Sequence, residues 1–227
     1  MRLLILGRGK TGTLVAEVAR ERGHQISVIG AQENPGAAAL TKERLANVDA
    51  VIEFTTPHAV IKNIEACAAA GCDVVVGTTG WLAELEQVRE KVDAAGIGFL
   101  YAANFSVGMN LFFEVARTAA AALDHRYFGQ IFERHHAQKQ DAPSGTAIML
   151  REIVKVAAGQ DLEITSFREG QVVGMHELTL DSPHDTIYVC HDAKSRRGFA
   201  EGAIRGAEWL AGKKGMFNFA DVWRELE

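Results

Sequence analysis

The sequence predicts an α/β fold, in which a doubly wound parallel sheet precedes a smaller α+β domain with an open mixed sheet. Two observations lead to this prediction. Short apolar segments alternate with helical segments through about the first hundred residues, which is typical of parallel strands covered by helices. Farther along the chain, several strand-like segments accompany only a few helices, and that pattern favours an α+β domain.

The composition limits the class of protein. The 227 residues are 48% hydrophobic and 23% charged, as in ordinary globular proteins. No apolar run approaches the roughly 18–20 residues that cross a bilayer. The three cysteines, Cys67, Cys72 and Cys190, lack metal-like spacing and indicate reduced thiols, and the net charge of −5 disfavours nucleic acid. We therefore expect a cytoplasmic protein without a nucleic-acid or membrane partner.

The N-terminal elements form the context that a dinucleotide-binding fingerprint requires. A strand at 2–6 runs into Gly7-Arg8-Gly9-Lys10-Thr11-Gly12, and a helix follows at 13–22. Gly7 and Gly9 would let the backbone approach a pyrophosphate, while Gly12 would let the helix pack tightly on the strand. A plain glycine turn is the alternative, but the position after the first strand favours a Rossmann-like nucleotide site.

The remaining elements of the first domain repeat the alternation. Polar or small residues follow three of its strands, where ligands of such sheets bind: Phe54-Thr-Thr-Pro57, Gly77-Thr78-Thr79-Gly80 and Ala102-Ala103-Asn104-Phe105. Turn chemistry would explain either threonine cluster alone. Strands are predicted at 25–29, 51–54, 73–76 and 97–101, and helices at 60–70 and 82–95.

The end of the second strand bears on the choice of cofactor. A site for NAD usually places an acidic residue there to bind the ribose, whereas a site for NADP places an arginine nearby. The segment Val28-Ile-Gly-Ala-Gln-Glu33 supplies neither at the expected position, and Glu33 comes a little late. The sequence therefore predicts a nicotinamide cofactor, NADH or NADPH, without a strong preference.

A second domain is predicted between two parts of the first. We expect a dinucleotide-binding domain at 1–106 plus 196–227, and a substrate-binding and oligomerisation domain at 107–195. Strands outnumber the helices that could cover them, so one sheet face would be open, and a homo-oligomer, most simply a tetramer, would cover it. The predicted helices of the second domain are 111–122 and 146–158, and its predicted strands are 128–134, 162–167, 171–180 and 186–191; a helix at 202–212 would rejoin the first domain.

One stretch of the second domain brings together groups that suit acid–base chemistry. His135, His136 and Lys139 lie within five residues of one another. Ser144 is a natural N-cap, and the N–H groups of Gly145 and Thr146 would be free to bind an anion at the start of a helix. A basic surface loop before an ordinary capped helix is the alternative interpretation.

From Glu133 the sequence reads Glu-Arg-His-His-x-x-Lys-x-Asp-Ala-Pro-Ser-Gly-Thr-Ala, which resembles the signature of bacterial dihydrodipicolinate reductases. Segments 168–176, 191–197 and 202–212 resemble the same family, so the resemblance covers nearly the whole chain. It implies reduction, by NADH or NADPH, of the dihydrodipicolinate derived from 4-hydroxy-tetrahydrodipicolinate, in lysine and diaminopimelate biosynthesis. Only about ten residues join 158 to 168, where family members commonly carry a longer insertion.

The resemblance also implies roles for individual residues. His135 would be the acid/base group and Lys139 the proton donor, on a small dicarboxylate substrate. The substrate contacts would come from His136, Lys139, Ser144, Gly145 and Thr146. The cofactor contacts would come from Gly7, Arg8, Gly9, Lys10, Thr11, Gly12, Phe54, Gly77, Thr78, Thr79, Ala102, Ala103, Asn104 and Phe105.

Other interpretations remain open at the level of sequence. A different dehydrogenase of similar build could act on an amino acid or a sugar, although it would not need the His-His-x-x-Lys signature. A dinucleotide sensor without enzymatic activity would need a partner-binding module, and no basic helix-turn-helix pattern is present. The scattered histidines, His125, His176, His184 and His191, are predicted to be structural or surface residues, and no metal site is expected.

Overall fold

The structure, a computed structural model, describes residues 1–226 and divides into two compact units, 1–106 with the segment from 197 onward, and 107–196. The first unit contains a six-stranded, fully parallel sheet in the order β2-β1-β3-β4-β5-β10. Its strands are β1 (Arg2–Leu6), β2 (Gln25–Ile29), β3 (Ala50–Glu53), β4 (Asp73–Val76), β5 (Gly98–Tyr101) and β10 (Gly215–Asn218).

The central strands of this sheet are buried on both faces. Leu3–Leu6, Ala50–Glu53 and Val74–Val76 are almost inaccessible to solvent, as expected for short apolar strands between two helical layers. Helices α3 and α4 each end at a glycine with positive φ, Gly71 and Gly96, which accommodates the left-handed turn. The helices are α1 (Lys10–Glu21), α2 (Lys42–Leu45), α3 (Pro57–Ala70), α4 (Leu85–Ala95), α7 (Arg197–Leu210) and α8 (Phe219–Val222).

The structure corrects the predicted bounds of several elements in the first unit. Helix α1 begins at Lys10, three residues before the predicted start, because the last glycine of the fingerprint is already helical. Strand β10 was not predicted, since its four residues are only half-buried and show no strong pattern. Helix α7 begins at Arg197 and not at 202, and the short helices between β2 and β3 were also missed.

The second unit contains a four-stranded mixed sheet in the order β7-β6-β8-β9, in which only β6 and β7 are parallel. Its elements are α5 (Val107–Ala119), a 3-10 helix (Ala120–His125), β6 (Phe128–His135), α6 (Gly145–Ala158), β7 (Ile164–Arg168), β8 (Met175–Asp181) and β9 (Thr186–Asp192). Together with the first sheet, this mixed sheet confirms the predicted fold class. The predicted strand 171–180 starts too early, because residues 169–174 form a turn that contains Gly170 at φ 51°.

One face of the mixed sheet packs on helices and the other does not. Ile131, Leu178 and Leu180 point to the covered face, where they join Phe112, Leu150 and Val154 in a core. Alternate strand residues point to the opposite face, on which Phe128 is 78% and Tyr188 67% exposed. No helix within residues 1–226 is both long and apolar enough to cross a membrane.

Candidate active site

The glycine-rich turn after β1 fits its predicted geometry. Gly7 has φ 108°, and a Cβ there would lie 2.0 Å from the Phe54 carbonyl oxygen. A Cβ on Gly12 would lie 2.2 Å from the Gly7 carbonyl oxygen, so neither position tolerates a side chain. Gly9 has open space around its missing Cβ and serves as the N-cap of α1 without a side-chain cap. The first N–H groups of α1 are therefore available to an anion beside Gly9.

Most of the predicted cofactor residues line one depression at the carboxyl ends of β1, β3 and β4. The ring of Phe54 covers Gly77, since a Cβ on Gly77 would lie 2.1 Å from that ring. The Thr78 hydroxyl accepts a 2.7 Å hydrogen bond from the Thr55 backbone N–H, which ties the loop after β3 to the loop after β4. The lining residues are Gly9, Lys10, Thr11, Gly12, Phe54, Gly77, Thr78 and Thr79, with Thr55 and Pro57 from the predicted polar cluster after β3, which were not named as cofactor contacts.

The segment after β5 lies near these loops through an aromatic contact. The rings of Phe54 and Phe105 have centroids 6.1 Å apart, and Phe105 also contacts Phe219 at 4.9 Å. Ala102 and Phe105 are buried, whereas Ala103 is exposed. The Asn104 side chain accepts a 2.9 Å hydrogen bond from the Ser106 N–H, which shapes the turn.

A buried carboxyl group lies beneath these loops. Glu53, the last residue of β3, is fully buried, and its Oε1 accepts hydrogen bonds from the Thr55 hydroxyl and from the Asn63 amide, the latter at 3.1 Å. Its Oε2 is buried without a hydrogen-bond partner among the described residues. Burial raises the pKa of Glu53 and outweighs the hydrogen bonds that would lower it.

An acidic and a basic group meet at the end of β2. A short 3-10 helix, Ala31–Glu33, brings Glu33 there, and Arg8 reaches it from the glycine-rich turn after β1. The Glu33 Oε2 accepts a 2.7 Å hydrogen bond from the Gly30 N–H and lies 2.8 Å from the Arg8 guanidinium. Arg8 also donates a 3.2 Å hydrogen bond to the Val28 carbonyl. The turn therefore returns Glu33 to the strand end, where sequence distance alone did not place it.

In the second unit, the predicted acid/base residue is held by a buried carboxylate. Glu133 and His135 are alternate residues of β6, so both point to the covered face, where they are 0% and 8% exposed. Glu133 Oε2 lies 2.6 Å from His135 Nδ1, a close polar contact and not a well-aligned hydrogen bond. Glu133 Oε1 accepts hydrogen bonds from the Arg168 guanidinium at 2.7 Å and from the Ser144 N–H at 3.2 Å.

The charge on this carboxylate follows from its partners. Burial would raise the pKa of Glu133, but the polar groups of Ser166, Arg168 and Ser144 outweigh burial and lower the pKa to about 2. The pKa of His135 is lowered, because burial and the positive charges of Lys139 and Arg168 outweigh the favourable charge of Glu133. Glu133 is therefore ionised at neutral pH, and the lowered pKa of His135 favours the neutral form of its ring.

His176 completes the buried cluster from the neighbouring strand β8. Its ring centroid is 5.1 Å from that of His135, and its Nε2 lies 3.2 Å from the Ser144 hydroxyl. Burial, followed by the proximity of His135, lowers the pKa of His176 to about 3, so it is neutral at physiological pH. A Cβ on Gly174 would lie 3.0 Å from His135 Nε2, so this glycine leaves space beside that nitrogen.

The loop after β6 presents the predicted cation and anion receptor. Lys139 Nζ donates to both carboxylate oxygens of Asp141, at 2.7 and 2.8 Å. The Ser144 hydroxyl caps α6 by accepting a 3.2 Å hydrogen bond from the Ala147 N–H. Because that cap uses the third N–H of the helix, those of Gly145 and Thr146 have no intrahelical acceptor. His136 is half-buried at the start of this loop.

Comparison with known proteins places the chain in a family. Residues 1–105 match the family model of the dihydrodipicolinate reductase N-terminus, and residues 108–223 match the model of its C-terminus. The chain belongs to the dihydrodipicolinate reductase family. The predicted resemblance, the oxidoreductase class and the NADH or NADPH cofactor are thereby confirmed.

Individual members of the family are similar over much or all of the chain. A 4-hydroxy-tetrahydrodipicolinate reductase from Christiangramia forsetii is 37% identical and covers 100% of this chain and 99% of its own. One from Laribacter hongkongensis is 36% identical over 78% of this chain and 74% of its own. The fold is also that of a dipicolinate-bound dihydrodipicolinate reductase from Paenisporosarcina sp. TG-14, with a TM-score of 0.79, 23% identity, and coverage of 98% and 99% of the two chains.

The structure brings two further residues, Arg168 and His176, to the predicted site of this reductase family member. Arg168 arrives because β7 pairs with β6 in a register that sets it opposite His135, and His176 arrives because β8 sets it opposite Glu133. From the sequence alone, His176 was predicted to be a structural or surface residue, and no role was predicted for Glu133. The alternation Glu133-x-His135 was a usable signal, because residues two apart in a strand share a face.

Glu133, His135 and His176 could each offer a ligand atom, and those atoms lie within 4.8 Å of one another. The carboxylate, however, is already paired with the Arg168 guanidinium at 2.7 Å. A further cation at this position would meet the repulsion of that guanidinium. Glu133, His135 and His176 are therefore better suited to hold and transfer a proton than to bind a metal ion.

Proposed function

We propose that this chain reduces the dihydrodipicolinate derived from 4-hydroxy-tetrahydrodipicolinate to tetrahydrodipicolinate, with NADH or NADPH, in lysine and diaminopimelate biosynthesis. The observation that carries the proposal is the ionised Glu133 against His135, close to Lys139 and to the open N-terminus of α6. The cofactor would supply hydride to a ring carbon of a conjugated imine, so that negative charge would develop away from that carbon and a proton would have to be delivered there. A cation and a general acid meet this need.

The first unit is the dinucleotide-binding domain in this proposal, and the second unit, 107–196, binds the substrate. The free N–H groups at the start of α1 receive the pyrophosphate, and Thr78, Thr79 and the segment from Ala102 to Phe105 contact the rest of the cofactor. The cofactor would supply the hydride, while this chain binds the cofactor, orients it and excludes water from it.

In the second unit, the substrate dicarboxylate takes its contacts from the loop after β6. The N–H groups of Gly145 and Thr146, beside the cap Ser144, bind one carboxylate, and His136 and Lys139 contact the substrate. Lys139 first has to exchange Asp141 for the substrate, because its Nζ is already paired with that carboxylate. Lys139 then donates the proton, and His135 acts as the acid/base group beside it.

The assembly in this proposal is a homotetramer joined through the open face of the mixed sheet, and the enzyme acts in the cytoplasm. On that face Phe128 and Tyr188 are exposed, together with Phe167, which is 40% exposed under the Arg134 guanidinium. Aromatic residues with arginine are typical of interface cores. Light scattering at micromolar protein should give an oligomer, and a Tyr188→Asp protein should dissociate; a wild-type monomer would contradict this assembly.

The function is tested with substrate made fresh by a coupled synthase. We expect loss of reduced-nicotinamide absorbance that depends on both the enzyme and the synthase product, with NADH and with NADPH. The control is the same mixture with oxaloacetate and ammonia, or with an aldose, in place of the product, because these are oxidised substrates that another dehydrogenase would reduce. Solved structures of such dehydrogenases share only the fold, such as an aspartate dehydrogenase from Thermotoga maritima at 13% identity and a TM-score of 0.51. Oxidation with the control substrate alone would overturn the proposal.

A further inference from the structure

Glu133 occupies a position that the proposed reaction does not use directly. It is fully buried, and polar groups reach it from three different parts of the unit: His135 on its own strand, Ser144 at the cap of α6, and Arg168 with Ser166 on β7. A carboxylate with pKa about 2 and no solvent contact does not itself exchange protons at neutral pH. Its effect must be exerted through the groups that it touches.

The first of these groups is the imidazole of His135. Nδ1 lies 2.6 Å from Glu133 Oε2 and has no other polar partner among residues 1–226. An ionised carboxylate only accepts hydrogen bonds, so it favours the ring form with the proton on Nδ1. Nε2 is then the nitrogen that gains and loses a proton. It is also the nitrogen beside Gly174, where the missing side chain leaves room.

The second group is the N-cap of α6. Glu133 Oε1 accepts the Ser144 N–H, and the Ser144 hydroxyl in turn touches His176 and caps the helix. One carboxylate thus holds both the acid/base ring and the start of the helix that offers its N–H groups to the substrate. Because a shift of about 1 Å in a catalytic group can cost on the order of 10² in rate, a shared anchor for both groups matters to the reaction.

We infer that Glu133 is the positioning residue of this site: it fixes His135 with Nδ1 inward and Nε2 toward the substrate, and it couples that ring to the anion receptor at the start of α6. The inference rests on the proposed function for its catalytic consequence. The orientation and proton position of His135 stand apart from that function, because they can be measured without any substrate.

The test compares Glu133→Gln with wild type by nitrogen NMR of the imidazole rings, with His135→Asn to assign the signal. The amide of a glutamine would keep its oxygen on Arg168 and present its NH₂ to His135 Nδ1, which then has to be an acceptor. We expect the neutral ring to change from the Nδ1–H form to the Nε2–H form. We also expect a lower pKa for His135, because Glu133 raises it while Lys139, Arg168 and burial lower it, and neutral His176 adds no charge.

Turnover gives the second readout. For Glu133→Gln we expect kcat to fall about 10- to 100-fold while the Kd for NADH stays within about twofold, since the wrong tautomer disables the ring without touching the cofactor. Glu133→Asp keeps the charge and should recover part of the rate and the Nδ1–H form. Glu152→Gln, an exposed glutamate on α6, is the matched control and should change none of these.

An unchanged tautomer and an unchanged pKa of His135 in Glu133→Gln would overturn the inference, whatever the activity. If wild type showed no reductase activity but the tautomer switched, the proposed function would fail and the positioning role would remain. Should Glu133→Gln not fold, Glu133→Asp is measured in its place. The inference then fails if kcat and the pKa of His135 both match wild type.

Discussion

Two buried glutamates, one in each unit, show how surroundings decide the state of a carboxyl group. Glu53 ends β3 in the first unit and Glu133 lies near the end of β6 in the second, and both are 0% exposed. Burial pushes both pKa values upward. Glu53 meets neutral donors, Thr55, Asn63 and Thr78, and its pKa stays raised. Glu133 meets the Arg168 guanidinium, and its pKa falls to about 2.

The difference separates two tasks. The carboxyl group with neutral partners connects the loop after β3 to α3 and so supports the depression where the cofactor is proposed to bind. The carboxylate with a cationic partner is a fixed negative charge beside an imidazole, and it controls where a proton resides. We therefore expect Glu133 to control the position of a proton and Glu53 to support the shape of the loops around it.

The largest expected effect is on turnover, and it tests whether the residues near Glu133 catalyse the proton transfer. Lys139→Ala and His135→Ala should each lower kcat by about 10² to 10⁴, because a positioned general acid contributes a factor of that size. NADH affinity, measured by fluorescence, should stay nearly unchanged in both. Lys139→Ala should also raise KM, since its ammonium attracts the substrate. Retention of more than about a third of wild-type turnover by both proteins would remove the catalytic assignment.

The two glutamates should also affect stability in opposite directions as pH changes. Glu133 has a lowered pKa, so its contribution is present above about pH 4.5 and is lost as pH falls toward about 2. At neutral pH the shift corresponds to roughly 3 kcal/mol, and Glu133→Gln should lower Tm by several degrees, most strongly above pH 4.5.

Glu53 has a raised pKa, so its contribution is present at acidic pH and is lost as pH rises through that raised value. Glu53→Gln, which stays neutral, should match wild type at about pH 4 and become relatively more stable at about pH 8. Thermal unfolding of the two variants and wild type across pH measures both. If the difference in Tm from wild type changed with pH in the same way in both variants, the proposed contrast between the two glutamates would be contradicted.

A smaller effect is expected at the anion receptor beside Glu133. Thr146→Val keeps the backbone N–H but removes the hydroxyl, whose proposed hydrogen bond to the substrate carboxylate would be present in ground state and transition state alike. It should therefore raise KM for the substrate roughly tenfold and change kcat less. Steady-state kinetics separate the two constants, and Thr146→Ser is the control that keeps the hydroxyl. A loss confined to kcat would place Thr146 among the acid–base groups.

The smallest effect concerns the cofactor in the unit of Glu53. NADH and NADPH should be used within about tenfold of each other, a difference of about 1.4 kcal/mol, since Arg8 and Glu33 offer opposite charges at the end of β2 and pair with each other. Arg8→Ala should weaken NADPH, and Glu33→Gln should weaken NADH, as kcat/KM ratios would show. A preference above a hundredfold in wild type would mean that another residue discriminates.

Sequence reasoning succeeded where the information is local. The fingerprint from Gly7 to Gly12 and the signature from His135 to Thr146 are contiguous, so residue types and spacing predicted their elements. The roles proposed for the signature residues came from the family resemblance. Arg168 and His176 come from other strands, and their places depend on sheet register. Gly174 lies in the loop just before β8. The position of Glu33 was predicted wrongly for a related reason. A single 3-10 turn brings Glu33 back to the end of β2, although it comes several residues after that strand in the sequence.

The chain leaves the first unit after residue 106 and returns at 197, and β10 then completes the edge of the first sheet beside β5. During synthesis, the ribosome therefore finishes every residue of the second unit before it makes α7 and β10. The second unit can reach its native pairing early, while five strands of the first wait with the β5 edge unpaired. Completion of the nucleotide-binding sheet therefore has to follow synthesis of the whole second unit, and the β5 edge is open to wrong pairing until then.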